Sequence, residues 1–241
     1  MKPLIVGHRG AAGTHPENTF ASILAAVNMG VTWVEVDIQP TKDDVLVVCH
    51  DHTIDRCSDG HGRIDSYTYG ELLQYDFGCW FAPEFIHERI MTLDQLVKLA
   101  IARDFSINIE IKIDQQHDAP HVVSLLKQVL DSNPQIYSSI ILSSFEAPVL
   151  VQVKQQIPQA KIGVLTEHLS DDDLQLIQQI RPFSCHINYH HLTAEQLSQL
   201  RELHVEVWCY TVNRPSTFAL LPQVDAIFTD FPRHFMTPSE A

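Results

Sequence analysis

The stretch WVEVDIQPTKDDVLVVCHD (residues 33–51) contains two apolar runs, Trp33–Ile38 and Val45–Cys49, and charge is set into or directly after each. Both runs are short, rich in β-branched residues and bounded by polar positions, the pattern of buried strands. In the first, Glu35 and Asp37 are two residues apart, so their side chains share one face of the strand. The second leads straight into His50 and Asp51. Carboxylates and a histidine at the ends of apolar strands predict a polar site built on a sheet.

Outward from this stretch the same unit recurs. Further strands are predicted at Leu4–Val6, Ser106–Ile111, Ile140–Leu142, Lys161–Leu165, Cys185–Asn188, Val205–Tyr210 and Ala226–Phe228. Helical periodicity fills the gaps at Thr19–Met29, Leu93–Ala102, Ala119–Leu130, Asp171–Ile180 and Ala194–Leu203, with Thr92, Ser170 and Thr193 as N-caps. Residues Ile140–Gln156 admit a helical hairpin, but Pro148 better suits the first turn of a helix that follows a loop. Strand–helix alternation implies a parallel sheet, and 241 residues match one TIM-like (β/α)8 barrel spanning residues 1–241. Only Asp51 to about Met91 breaks the rhythm. It is rich in Gly, Asp and aromatics, with helical character confined to Tyr69–Tyr75, and is predicted to be a small inserted subdomain over the active face.

Composition narrows the partners. Sixteen basic residues against 30 acidic ones give a formal charge of −14, which disfavours nucleic acid and anionic lipid surfaces. A small phosphate ester held by a local cation remains compatible. The five cysteines are scattered without a CxxC pair, and no apolar run is long enough to span or insert stably into a membrane, so a reduced, cytoplasmic setting is expected.

The strand ends carry the chemistry. Leu4–Val6 runs into Gly7-His8-Arg9-Gly10, and Ser106–Ile111 carries Glu110, with Lys112 two positions later on the same face. In a parallel barrel such ends gather at one mouth. Three carboxylates there, Glu35, Asp37 and Glu110, suit one hard divalent cation, Mg2+ or Ca2+. Arg9 and Lys112 supply positive charge for phosphate oxygens, and His8 and His50 exchange protons near neutral pH. Singly, each motif has an ordinary explanation: a strand-edge carboxylate pair, a surface ion pair at Glu110 and Lys112, or one of 14 histidines. His61, His87, His117, His121, His190, His191 and His204 are read as surface residues. The coincidence of four charged motifs at strand ends is what those explanations account for poorly.

On these residues the sequence resembles the glycerophosphodiester phosphodiesterase family. The resemblance rests on Gly7-His8-Arg9-Gly10, Pro16-Glu17-Asn18-Thr19, Glu35-Val36-Asp37, His50-Asp51, Glu110-Ile111-Lys112, Ser144-Phe145, Thr211-Val212-Asn213 and Thr229-Asp230-Phe231-Pro232. It implies metal ligation by Glu35, Asp37 and Glu110, an acid–base pair of His8 and His50, and phosphate contacts from Arg9 and Lys112. It also implies cleavage of a small-molecule glycerophosphodiester to sn-glycerol 3-phosphate and an alcohol. Tyr210, Asp44 and Ala226 depart from the family pattern. A barrel phospholipase on intact lipid and a non-catalytic phosphate-binding module are the alternatives. The acidic balance opposes the first, and retention of every charged motif opposes the second. Two further expectations concern the pocket: Tyr75 to Phe85, with Trp80 and Phe81 at its centre, forms an apolar wall over it, and no sequence feature marks a choline cage such as an aromatic cluster near the strand ends, Tyr210 and Trp80 being too few.

Overall fold

The computed structural model describes residues 2–114 and 116–236. Nine strands form one sheet: β1 (Leu4–His8), β2 (Trp33–Pro40), β3 (Leu46–Val48), β4 (Ser106–Ile111), β5 (Ile140–Ser144), β6 (Lys161–Thr166), β7 (Ser184–Asn188), β8 (Glu206–Tyr210) and β9 (Ala226–Thr229). All but β3 are parallel, in the order β1-β9-β8-β7-β6-β5-β4-β2, and β1 pairs with β2 to close an eight-stranded barrel. Outside it pack α1 (Phe20–Asn28), α3 (Leu93–Arg103), α4 (Ala119–Asp131), α5 (Ala147–Gln156), α6 (Asp171–Ile180) and α7 (Ala194–Glu202), while α2 (Tyr69–Leu72) is a single short turn of helix. Between β8 and β9 two 3-10 turns stand in place of a helix. The fold is a TIM-like (β/α)8 barrel. No helix among the described residues is long and apolar enough to cross a membrane.

Local chemistry sets the helix starts. Thr92, Ser170 and Thr193 each accept a hydrogen bond from the backbone N–H of the third helical residue, whose own side-chain oxygen accepts one from the cap backbone N–H. These reciprocal boxes satisfy donors that a helix start otherwise leaves open. Pro148 lies in the first turn of α5, as its missing N–H requires, and the hairpin alternative does not form.

The Val45–Cys49 strand requires a correction. It appears as β3, but it runs antiparallel to β2, pairing Ile38 with Val48 and Pro40 with Leu46, and it lies outside the barrel closure. Only residues 41–45 connect the two strands, too few for a parallel crossover, which needs a dozen or more. Asp44 takes the left-handed turn conformation in that hairpin, with φ of 60°. The returning strand delivers His50 to the same end of the barrel as Asp37, since the Cys49 N–H donates to the Asp37 carbonyl.

Strand alternation divides the core into two layers. Outward-facing Val34, Val36, Ile107, Ile109, Leu142 and Val207 pack beneath the helices. Inward-facing Val6, Ile141, Trp208, Ala226 and Phe228 fill the barrel floor. His186 joins that floor fully buried, stacked on Trp208 at 5.1 Å between ring centroids. Gly163 of β6 makes room for it, because a Cβ there would lie 2.5 Å from the imidazole. The segment between β3 and α3 has a separate small core of Cys49, Ile54, Ile64, Leu72, Phe77 and Ile90. There the Asp76 carboxylate accepts backbone N–H groups of Gly78, Cys79 and His87.

Candidate active site

Register brings the charged residues together. His8 of β1 is level with Glu35 of β2, and Asp37 of β2 is level with Glu110 of β4. Their inward side chains open onto a cavity of about 320 Å³ at the C-terminal end of the barrel. His8, Arg9, Glu35, His50, Glu110 and Lys112 line it, with Asn108, Phe145, Leu165, Asn188, Tyr210, Thr211 and Phe228. Asp37 lies just beneath, 1% exposed. All seven residues singled out in the sequence therefore meet in one place.

The carboxylates are held but not saturated. Glu35 Oε2 accepts the Arg9 backbone N–H at 2.9 Å, and Asp37 Oδ2 accepts Asn18 Nδ2 at 2.9 Å. Lys112 Nζ lies 2.6 Å from Glu110 and 3.3 Å from Asp37. Among the described residues Glu35 Oε1 and Asp37 Oδ1 are buried with no hydrogen-bond partner, the latter being the oxygen that Lys112 Nζ faces. A buried acceptor without a partner costs about 1–3 kcal/mol, more when charged. One oxygen from each of Glu35, Asp37 and Glu110 falls within a 4.8 Å cluster. Oxygen donors, negative charge and open lone pairs together fit a hard divalent cation.

Burial and mutual charge shape the titration. Desolvation, reinforced by the negative charge of Asp37, pushes Glu35 up to about 8, and burial raises Glu110 as well. Burial also acts against an ionised Asp37, but Lys112 and Arg9 outweigh it and hold its carboxyl well below the usual range. Burial lowers His50. It opposes the His8 imidazolium too, yet the bond to Asp230 and the charge of Glu35 carry that group above its ordinary value.

Both histidines have the same support. His8 Nδ1 is 2.6 Å from Asp230 Oδ1, and His50 Nδ1 is 2.7 Å from Asp51 Oδ1. Each aspartate fixes ring and tautomer, leaving Nε2 for the cavity. Asp230 is in turn held by Asn213 Nδ2 at 2.7 Å. Arg56 donates to both Asp51 and Glu17, and Glu17 accepts from Arg9 at 2.7 Å. A continuous charged chain thus links the His50 side of the mouth to the Arg9 side. No role for Asp51, Asp230, Asn213, Glu17 or Arg56 is read from the sequence above, although all but Arg56 lie in its quoted motifs.

Three further expectations need correction. Trp80 and Phe81 do not line the cavity; they meet edge-on at 5.5 Å, and Phe81 meets Phe85 edge-on at 5.7 Å. The apolar wall comes instead from strand ends, where Phe145 and Tyr210 meet edge-on at 6.1 Å beside Leu165 and Phe228. Aromatics therefore do gather there. His117, read as a surface residue, has a side chain only 8% exposed, because Asp65 and Asp114 close around it.

Residues 8–234 match the Glycerophosphoryl diester phosphodiesterase family. The chain is similar to a glycerophosphodiester phosphodiesterase of Caldanaerobacter subterraneus subsp. tengcongensis, 33% identical over 234 residues and covering 96% of each chain. A second such relative, from Bacillus altitudinis, is 31% identical, with 95% of this chain and 94% of that one covered. Among solved structures, an Oleispira antarctica phosphodiesterase in complex with the product sn-glycerol-3-phosphate superposes with a TM-score of 0.90. It is 27% identical, with 97% of this chain and 95% of that one covered.

Proposed function

This chain belongs to the glycerophosphoryl diester phosphodiesterase family and is an enzyme of that class, and from that premise we propose a metal-dependent hydrolysis with named residues in each role. The substrate is a small glycerophosphodiester. The P–O bond to the alcohol breaks and a new P–O bond forms to water, giving sn-glycerol 3-phosphate and the free alcohol directly, or to the glycerol's own neighbouring hydroxyl, giving the free alcohol and a cyclic phosphate that water then opens to sn-glycerol 3-phosphate. The product bound by the Oleispira antarctica relative supports this choice. The setting is proposed to be cytoplasmic.

Glu35, Asp37 and Glu110 are the proposed ligands of one divalent cation, Mg2+ or Ca2+. The observation that carries this reading is the pair of buried oxygens without a hydrogen bond among the described residues, Glu35 Oε1 and Asp37 Oδ1, the latter facing only Lys112 Nζ at 3.3 Å, beside Glu110. When bound, the ion supplies Lewis-acid polarisation of the phosphate and a fixed template. Arg9 and Lys112 orient the phosphate by charge and hydrogen bonding. Their present partners Glu17, Glu110 and Asp37 hold both side chains at the cavity wall. His8 and His50, with Nδ1 pinned, present Nε2 to take a proton from the nucleophile and return one to the leaving alcohol.

The decisive assay is release of sn-glycerol 3-phosphate from glycerophosphocholine, with chelation and add-back of Mg2+ or Ca2+. Activity should vanish with chelator and return with one of the two ions; full activity in excess chelator overturns the metal assignment. Because catalysis holds the phosphate and glycerol end, glycerophosphocholine, glycerophosphoethanolamine and glycerophosphoglycerol should differ in kcat/KM by no more than about ten- to hundredfold.

A further inference from the structure

Metal-ligating side chains converge at a second place, next to the mouth but outside it. Gln39, His52 and Asp114 each follow a mouth residue by two positions: Asp37, His50 and Lys112. His117 lies three residues beyond Asp114. One ligand atom each from His52, Asp114 and His117 falls within a 4.8 Å cluster. We propose that these three side chains form a second metal site, suited to a borderline divalent ion of the Zn2+ class.

His117 is the central ligand, with a side chain only 8% exposed. Its Nδ1 accepts the Asp114 backbone N–H at 3.2 Å and so presents a lone pair. The same Nδ1 lies 3.3 Å from Asp114 Oδ1, which also has only lone pairs to offer. Two acceptors at that separation repel unless a cation lies between them. A separation of about 3.3 Å is also the edge of a tetrahedron with metal bonds of about 2.0–2.1 Å. A metal on Nδ1 replaces the long backbone bond.

The outer partners are already in place. With Nδ1 as the acceptor, His117 Nε2 carries the proton; it is buried without a hydrogen-bond partner among the described residues, 3.5 Å from Asp65 Oδ2. His52 Nδ1 lies 3.0 Å from Gln39 Oε1, which leaves its Nε2 to ligate. Both imidazoles therefore have an oxygen facing the nitrogen opposite the ligating one, the support that metal-bound histidines require. Arg63 donates to Asp114 Oδ2 at 2.7 Å and to Asp65, and Asp114 Oδ1 also accepts the Gln116 N–H at 2.9 Å. The two carboxylates outweigh the one guanidinium, so the site is net negative before any ion enters. Two imidazoles and one carboxylate favour Zn2+ and its neighbours over Mg2+ or Ca2+, which select all-oxygen shells. The ion would tie the loop after β3 to the loop after β4, the two segments that carry His50 and Lys112.

The test uses the full chain with saturating Mg2+ or Ca2+, whichever restores activity, added to fill the carboxylate site proposed above, and titrates it with Zn2+ by calorimetry and with Co2+ by visible absorption. One equivalent of Zn2+ should bind, and Co2+ should give a d–d band. His52→Ala and His117→Ala should each weaken Zn2+ at least tenfold and abolish the band, whereas Glu35→Gln should keep both. Thermal unfolding in chelator checks that each variant is folded; if His117→Ala is not, the partly exposed His52 decides. Zn2+ affinity and Co2+ spectrum unchanged in His52→Ala, absence of an equivalent beyond the mouth, or loss of binding in Glu35→Gln would each overturn the proposal.

Discussion

The floor and the mouth of this barrel are built by the same strands, one side-chain layer apart, yet they obey opposite rules. Trp33 of β2 meets Trp208 edge-on at 5.5 Å in the floor, and two residues later the strand presents Glu35 to the cavity. The floor is aromatic and close-packed; the mouth above it is built of charged and titratable side chains, with buried oxygens that accept no hydrogen bond among the described residues. Each interior layer of a barrel takes side chains at a spacing of two, so composition can change completely in one step along the strand. Stability therefore resides below and chemistry above, and substitutions in the two layers should separate them.

The largest separation is expected from His8→Ala or His50→Ala against Trp208→Ala. Loss of a general acid–base group lowers turnover about 10²–10⁴-fold, which corresponds to roughly 2.7–5.4 kcal/mol. Both histidines lie at a partly open mouth, so their variants should melt close to the parent. Trp208 is 2% exposed, and its truncation should cost about 3–5 kcal/mol of stability. Steady-state kinetics beside denaturant unfolding checks the pair. A His8 or His50 variant that turns over like the parent removes that residue from the proton-transfer role.

Next in size are the aspartates behind the histidines. Asp230→Asn and Asp51→Asn keep shape but lose the charge that fixes the imidazole tautomer. Turnover should fall about 10–100-fold, by analogy with outer partners of metal-bound histidine. The displaced pH profile is the diagnostic readout, since a merely structural aspartate would leave it in place.

Legibility follows the same division. Strand periodicity and charge at strand ends were enough to bring His8, Arg9, Glu35, Asp37, Glu110 and Lys112 to one mouth, because a parallel barrel turns those ends to one side; His50 reaches the same mouth on the antiparallel β3, for a different reason. The supports were not legible. His8 meets Asp230 across 222 residues of sequence, and only closure of β9 onto β1 makes them neighbours. The reversed direction of β3 was readable, since a five-residue link at 41–45 excludes a parallel crossover. The shielding of His117 was not, because Asp65 reaches it from a distant turn.

Titration offers a gentler contrast. Burial lowers His186 to about 3, against an ordinary value of 6.5 in the unfolded chain. Between those values the unfolded state binds more protons, so stability rises with pH there and is lost on acidification. Glu35 has the opposite sign. Raised from 4.5 to about 8, it makes the folded, metal-free protein the better proton binder, so its contribution is complete below 4.5 and declines as pH rises towards 8. Each group changes the slope by at most about 1.4 kcal/mol per pH unit. Unfolding free energies measured in chelator should show the acid slope flattened in His186→Asn and the neutral-range decline flattened in Glu35→Gln. Unchanged slopes would mean that neither group titrates as its burial requires.

The smallest effect is expected at the rim between the two layers and the solvent. Phe145 is 46% exposed, lies edge-on to Tyr210 at 6.1 Å, and has Lys112 Nζ 5.9 Å from its ring centroid. An exposed ring contributes little to the core, so Phe145→Ala should barely alter thermal stability. An aromatic pair of this geometry is worth about 0.5–1.5 kcal/mol beyond area burial, which sets the scale for a substrate group packed against it. KM for glycerophosphodiesters should therefore rise about two- to tenfold, with kcat nearly unchanged, as expected if a ring of the cavity wall packs against substrate without touching the transferred proton. Phe145→Leu, which keeps apolar bulk but not the ring face, should fall between parent and alanine variant. If KM is unchanged in both, Phe145 serves only to pack Tyr210 and the apolar wall of the cavity belongs to Leu165 and Phe228. If kcat falls with KM constant, the ring acts on Lys112, and its place is with the charged mouth.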